Sequence, residues 1–120
     1  MKIEFSPGAR LQLDVLSELD SIETGFLFGF NMGRYLIIES FFPLRFTKNS
    51  INRIYPQVFN HFSDRLLGVF FINGKAFLND WFLENIIIQV KNHSKKIFLC
   101  RFDDQSGQKQ WVPISGSEKG

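Results

Sequence analysis

An α+β domain, with a mixed, mostly antiparallel sheet and two main helices, is what the sequence predicts. Three patterns carry that prediction. Two apolar runs, Glu23 to Phe30 and Arg34 to Phe42, flank the short connection Asn31-Met32-Gly33 and read as a hairpin. A Ser6-Pro7 pair opens a stretch with helical periodicity, as a capping serine followed by proline at the first helical position would. The run Leu66-Leu67-Gly68-Val69-Phe70-Phe71-Ile72 is too short for a solitary helix, and its aromatic and β-branched residues suit a buried strand.

The elements follow in order. Lys2 to Phe5 alternates and reads as a short strand. The helix from Pro7 to Asp20 places Leu11, Val15, Leu16 and Leu19 on one face, which needs a sheet to cover it. In the first strand of the hairpin, Gly25 and Gly29 weaken pairing unless another group must approach the backbone closely, so they mark tight packing or a site. Thr47 to Ser50 is loop-like, and Pro56 to Phe62 reads as a short helix carrying Val58, Phe59 and Phe62. The strand ending at Ile72 breaks at Asn73-Gly74. From Asp80 to about Lys91, the spacing of Trp81, Phe82, Ile86, Ile87 and Val90 predicts the second long helix. Strands over Lys96 to Phe102 and Lys109 to Ile114, with a turn at Asp103 to Gly107, complete one domain spanning residues 1–114. Ser115 to Gly120 reads as a flexible C-terminal tail.

Composition bounds the function. A chain of 120 residues buries roughly two thirds of its unfolded surface as a single core. Fourteen Lys plus Arg against twelve Asp plus Glu leave a formal charge of +2, with the basic residues scattered, which argues against nucleic acid as the main partner. No apolar leader and no membrane-length apolar run is present, and the single Cys100 lies in an apolar strand pattern as a buried thiol. A cytoplasmic location with no membrane partner is therefore expected. Fifteen Phe are more than one sheet face and two helices readily hide. Exposed aromatics, and with them a homodimer or a constitutive protein partner, are expected.

The order of these elements and several local patterns resemble the MPN (JAB/Mov34/PAD-1) domain family. Glu23-Thr24-Gly25-Phe26-Leu27-Phe28-Gly29, followed by the strand through Ile37-Ile38-Glu39, resembles the opening of that domain. Leu67-Gly68-Val69-Phe70 is similar to the strand leading into its metal motif. Phe98 to Pro113, with Ser106-Gly107-Gln108 and Trp111, resembles its closing hairpin.

The resemblance implies a zinc site that this chain has lost. Active members end the central strand with two histidines one residue apart, followed by a serine and an aspartate; the histidines and aspartate hold zinc while the upstream glutamate moves protons. Counted from Gly68, the histidine positions fall on Phe71 and Asn73, and the usual proline on Gly74. The serine and aspartate positions become Trp81 and Glu84, or with a shorter loop Phe77 and Asp80. Only Glu23 keeps its residue type on either spacing, as a relic of the family glutamate or as a residue at the strand start that pairs with a basic group or accepts backbone hydrogen bonds.

Ligand chemistry then decides the expected class. Zinc needs three good protein ligands; Phe offers none, and an Asn carbonyl is a poor substitute for imidazole. His61 and His93 lie elsewhere in the chain. The chain also lacks a phosphate loop, a nucleophile elbow and a dinucleotide fingerprint. The expectation is a non-catalytic MPN/JAB-like interaction or scaffold module with no metal and no cofactor. The alternatives are a JAB-type zinc metalloprotease or isopeptidase with an atypical metal site, and a small-ligand pocket lined by Phe71, Asn73 and Trp81.

Overall fold

Seven strands form one mixed sheet in the order β1-β3-β2-β4-β5-β6-β7. The computed structural model describes residues 2–19, 21–74, 86–91, 96–102 and 109–113. In chain order these are β1 (Lys2–Phe5), α1 (Pro7–Glu18), β2 (Glu23–Asn31), β3 (Tyr35–Pro43), α2 (Ile51–Phe62), β4 (Leu66–Ile72), β5 (Ile86–Lys91), β6 (Lys96–Phe102) and β7 (Lys109–Pro113). The pairings β1 with β3 and β4 with β5 are parallel, and the other four are antiparallel. The predicted α+β class and mixed, mostly antiparallel sheet are therefore present. The tail at 115–120 and the turn at 103–107 lie outside the described residues.

The N-terminal half follows its sequence signals closely. Ser6 Oγ accepts from the Ala9 N–H at 3.1 Å, capping α1 with Pro7 in its first turn. The same hydroxyl donates to the Glu39 carbonyl at 2.9 Å, tying the helix start to β3. Gln12 clasps β3 further along, donating to the Phe41 carbonyl at 3.0 Å and accepting the Phe41 N–H at 2.8 Å. In the hairpin turn, Gly33 takes φ +82°, a left-handed backbone that costs glycine little.

The register explains the two strand glycines. A Cβ on Gly25 would meet the Phe42 carbonyl oxygen and the Phe70 ring, and one on Gly29 would meet the Ile37 carbonyl. The neighbours are thus the adjoining strand and a core aromatic ring. Close approach, not turn geometry, requires glycine here.

Three expectations are corrected. Leu11 and Val15 are 65% and 55% exposed, and Leu19 is exposed too; the face of α1 that meets the sheet is Ala9, Leu13, Leu16 and Ser17. Both stripes satisfy helical spacing, and the small Ala9 lets the helix approach the sheet on its side. Ile86–Lys91 is strand β5, not the end of a helix. Its three consecutive isoleucines suit a central strand paired on both sides, where apolar runs replace alternation. The rest of the predicted Asp80–Lys91 helix lies outside the described residues. Finally, α2 begins at Ile51, with Pro56 inside the helix instead of opening it.

The two helices cover opposite faces of the sheet. On the α1 side, Ala9, Leu13 and Leu16 pack with Ile3, Phe5, Leu27, Phe41, Phe70 and Ile72. On the α2 side, Ile51 packs with Phe26, Phe46, Val69, Phe71 and Ile87. Phe26, Phe41, Phe70 and Phe71 are essentially fully buried, each contributing about 1.5–3 kcal/mol by removal from water. Cys100 is half-buried at the edge of the α2-side cluster, less enclosed than its apolar setting predicts. No described helix is long and apolar enough to cross a membrane.

Candidate functional site

The region to inspect is where β2 begins and β4 ends, since antiparallel pairing brings Glu23 opposite Ile72 and Thr24 opposite Phe71. Glu23 is thus within one residue of both Phe71 and Asn73 along the ladder. Directly opposed residues share a face and successive residues alternate. Ile72 belongs to the α1-side core and Phe71 to the α2-side core, so Glu23 and Phe71 leave the sheet in opposite directions.

Glu23 pairs with a residue that sequence reading did not single out. Arg45 Nη2 lies 3.6 Å from Glu23 Oε2, with the carboxylate mostly enclosed and the guanidinium mostly in solvent. Arg45 is reached because the chain leaves β3 beside β2, held there by Thr24. The Thr24 hydroxyl donates to the Leu44 carbonyl at 2.9 Å and accepts the Phe46 N–H at 3.0 Å. Those bonds satisfy a buried hydroxyl and turn Phe46 inward.

Phe46 then closes over the first histidine position of the resemblance. Its ring meets Phe71 edge to face at 5.8 Å, and Phe26 also lies 5.8 Å from Phe46. Phe71 is 1% exposed. An imidazole in this place would enter an apolar core, not a metal pocket.

Asn73 does a different job from its neighbour. It has φ +64°, in the left-handed region that Asn tolerates better than most side chains. Its Nδ2 donates to the Leu19 carbonyl at 2.8 Å and the Ser21 carbonyl at 2.9 Å, and its own N–H reaches the Val90 carbonyl at 3.2 Å. Asn73 therefore joins the end of β4 to the α1–β2 connection and to β5. Its Oδ1 is buried without a hydrogen-bond partner among the described residues, one neutral oxygen where zinc requires three protein ligands. Gln89 extends the same network, donating to the Gly74 carbonyl at 2.9 Å.

Trp81 and Glu84, with the alternatives Phe77 and Asp80, lie outside the described residues, as does His93. His61 is on α2, its ring 6.3 Å from that of Phe62. Among the described residues no group of three or more His, Cys, Asp or Glu is placed to hold a metal. An open cleft of about 590 Å³ lies beside the strand ends, lined by Ile22, Thr24, Arg45, Phe46, Thr47 and Ser50. Phe71 and Asn73 are not among the residues lining it.

Thr24, Arg45, Phe46 and Gln89 were not anticipated as members of this region. The strand register is the signal that assembles them, and register depends on contacts between segments distant in sequence.

The fold and site together define an α+β domain with a mixed sheet whose central strand end is packed with aromatic side chains. No family model matches the chain, and no curated protein matches it. Among solved structures, the solution structure of protein DSY2949 from Desulfitobacterium hafniense is similar, with a TM-score of 0.53 and 14% identity over 93% of this chain and 90% of that one. At that identity the likeness is one of fold.

Proposed function

We propose that this chain is a non-catalytic protein-interaction or scaffold module of the MPN/JAB kind, cytoplasmic and without a zinc site. The observation that carries the reading is Phe71 packed under Phe46 in the α2-side core, where a metal ligand would have to stand. Two further features support the non-catalytic part of that reading. The Asn73 amide is committed to the Leu19 and Ser21 carbonyls, and Glu23, on the other face of the sheet, is paired with Arg45. A proton-transfer carboxylate serves a metal-bound water only from the same side as the metal ligands.

The alternative is a JAB-type metalloprotease or isopeptidase with an atypical site. Incubation of the purified chain with excess zinc and an isopeptide-linked substrate tests between the two. The proposal expects no hydrolysis above the protein-free blank. Zinc-dependent turnover that Glu23→Gln abolishes would overturn it.

A further inference from the structure

The bend after β4 holds the one Asn-Gly pair in the sequence, Asn73-Gly74. A glycine has no Cβ to crowd its own nitrogen, so this pair offers an asparagine its easiest route to self-modification. The Gly74 backbone nitrogen attacks Asn73 Cγ and a C–N bond forms. The Cγ–Nδ2 bond breaks, and Nδ2 takes up the Gly74 amide proton and leaves as ammonia. Water then opens the cyclic imide at one carbonyl or the other, giving aspartate or isoaspartate. Water is the only co-reactant.

The fold acts on the rate. Asn73 and Gly74 are half-buried. The leaving nitrogen, Asn73 Nδ2, donates to the Leu19 carbonyl at 2.8 Å and the Ser21 carbonyl at 2.9 Å, which engages both of its hydrogens. Attack on Cγ turns the amide out of its plane, and the two bonds oppose that turning. Ring closure therefore waits on a local opening of the end of β4.

The same bonds set the consequence. Aspartate at neutral pH has no side-chain hydrogen to donate, and it would turn a carboxylate oxygen toward two carbonyl oxygens. Nothing offsets the loss, since Asn73 Oδ1 already lacks a donor among the described residues. Isoaspartate also lengthens the backbone before Gly74, whose carbonyl accepts from Gln89 Nε2 at 2.9 Å, and so displaces that bond.

We propose that Asn73-Gly74 is a self-modification site whose reaction the folded chain holds back, and that conversion to aspartate or isoaspartate undoes the fastening of β4 to the α1–β2 connection. The site is then a one-way record of the time this end of the sheet has spent open. It stands apart from the interaction-module reading, and neither depends on the other.

Peptide mapping by mass spectrometry tests it, on the full chain incubated in mildly alkaline buffer with and without unfolding urea. The other asparagines serve as internal controls. In urea, Asn73 should convert ahead of all of them. In the folded chain its conversion should be slower by roughly tenfold or more, the factor that two net hydrogen bonds supply. The converted chain, and independently Asn73→Asp, should melt about 4 °C or more below the fresh chain. Aspartate tolerates the left-handed backbone, so that loss reports the missing donor. Asn73→Gly cannot convert, and its melting temperature should be the same before and after incubation. Equal rates with and without urea overturn the proposal, as does an Asn73 that stays intact in urea. So do a converted chain and an Asn73→Asp variant that melt with the fresh wild type, or an Asn73→Gly variant that loses stability at the wild-type pace.

Discussion

Glu23 and Phe71 stand on neighbouring strands one rung apart and leave the sheet through opposite faces. Backbone proximity and side-chain proximity are separate things in a sheet, because a shift of one residue moves a side chain from one face to the other. The carboxylate and the first histidine position are therefore near in sequence register and separated by the thickness of the sheet. Placing histidine at Phe71 would not bring a ligand to the side where Glu23 stands.

Truncating Phe71 should be costly. Its ring is fully enclosed between Phe46 and the rest of the α2-side core, and removing a buried phenyl ring leaves a cavity as well as losing transfer energy. Phe71→Ala should lower stability by about 3–5 kcal/mol in urea denaturation. A loss below about 1 kcal/mol, the range of exposed positions, would contradict this packing.

Asn73 combines a left-handed backbone with two side-chain hydrogen bonds, so two substitutions separate the contributions. Asn73→Gly keeps the backbone and loses the bonds, each worth about 0.5–1.5 kcal/mol. Asn73→Ala also incurs about 1–2 kcal/mol of backbone strain. Thermal denaturation should rank the wild type above the glycine variant and that above the alanine variant. An alanine variant as stable as the wild type would contradict the assignment.

Glycines at four positions should respond in three ways. Gly25→Ala and Gly29→Ala force a Cβ against a neighbouring carbonyl, so both should be severely destabilised. Gly33→Ala should cost about 1–2 kcal/mol through its positive φ. Gly8 sits in the first turn of α1, where a Cβ would meet only Ser6 Oγ at an ordinary 4.0 Å, and Gly8→Ala should raise stability by about 0.5–1 kcal/mol. Chemical denaturation of the four variants checks the ranking.

The ion pair of Glu23 should matter little to folding. Arg45 is largely solvated, so Arg45→Ala should cost less than about 1 kcal/mol and the difference should shrink as salt is added. A loss of several kcal/mol would place the pair in a desolvated site, contrary to the exposure of its guanidinium.

How far the sequence could be read depends on whether the signal was local. Ser6-Pro7 capping and the hairpin around Gly33 are dictated by residues adjacent in sequence, and they stand as the residues imply; Gly25 and Gly29 signal a close approach whose partners, Phe42, Phe70 and Ile37, come from the register. The buried face of α1 was legible only at Leu16, because Leu11-Val15-Leu19 and Ala9-Leu13-Leu16 share the same periodicity and only packing chooses between them. Ile86–Lys91 reads equally as helix or strand over so few apolar residues, and its parallel partner β4 decides the matter. At the candidate site, the absence of imidazole at Phe71 and Asn73 was plain in the sequence. The facing of Glu23 and the roles of Thr24 and Phe46 required the register.

The zinc content of the chain, purified without chelator and measured by inductively coupled plasma mass spectrometry, tests the central claim most directly. With Phe71 buried in an apolar core and the Asn73 amide bound to backbone carbonyls, the account predicts zinc far below one ion per chain, unchanged after dialysis against added zinc. One zinc ion per chain, lost on chelation and restored on dialysis, would contradict it.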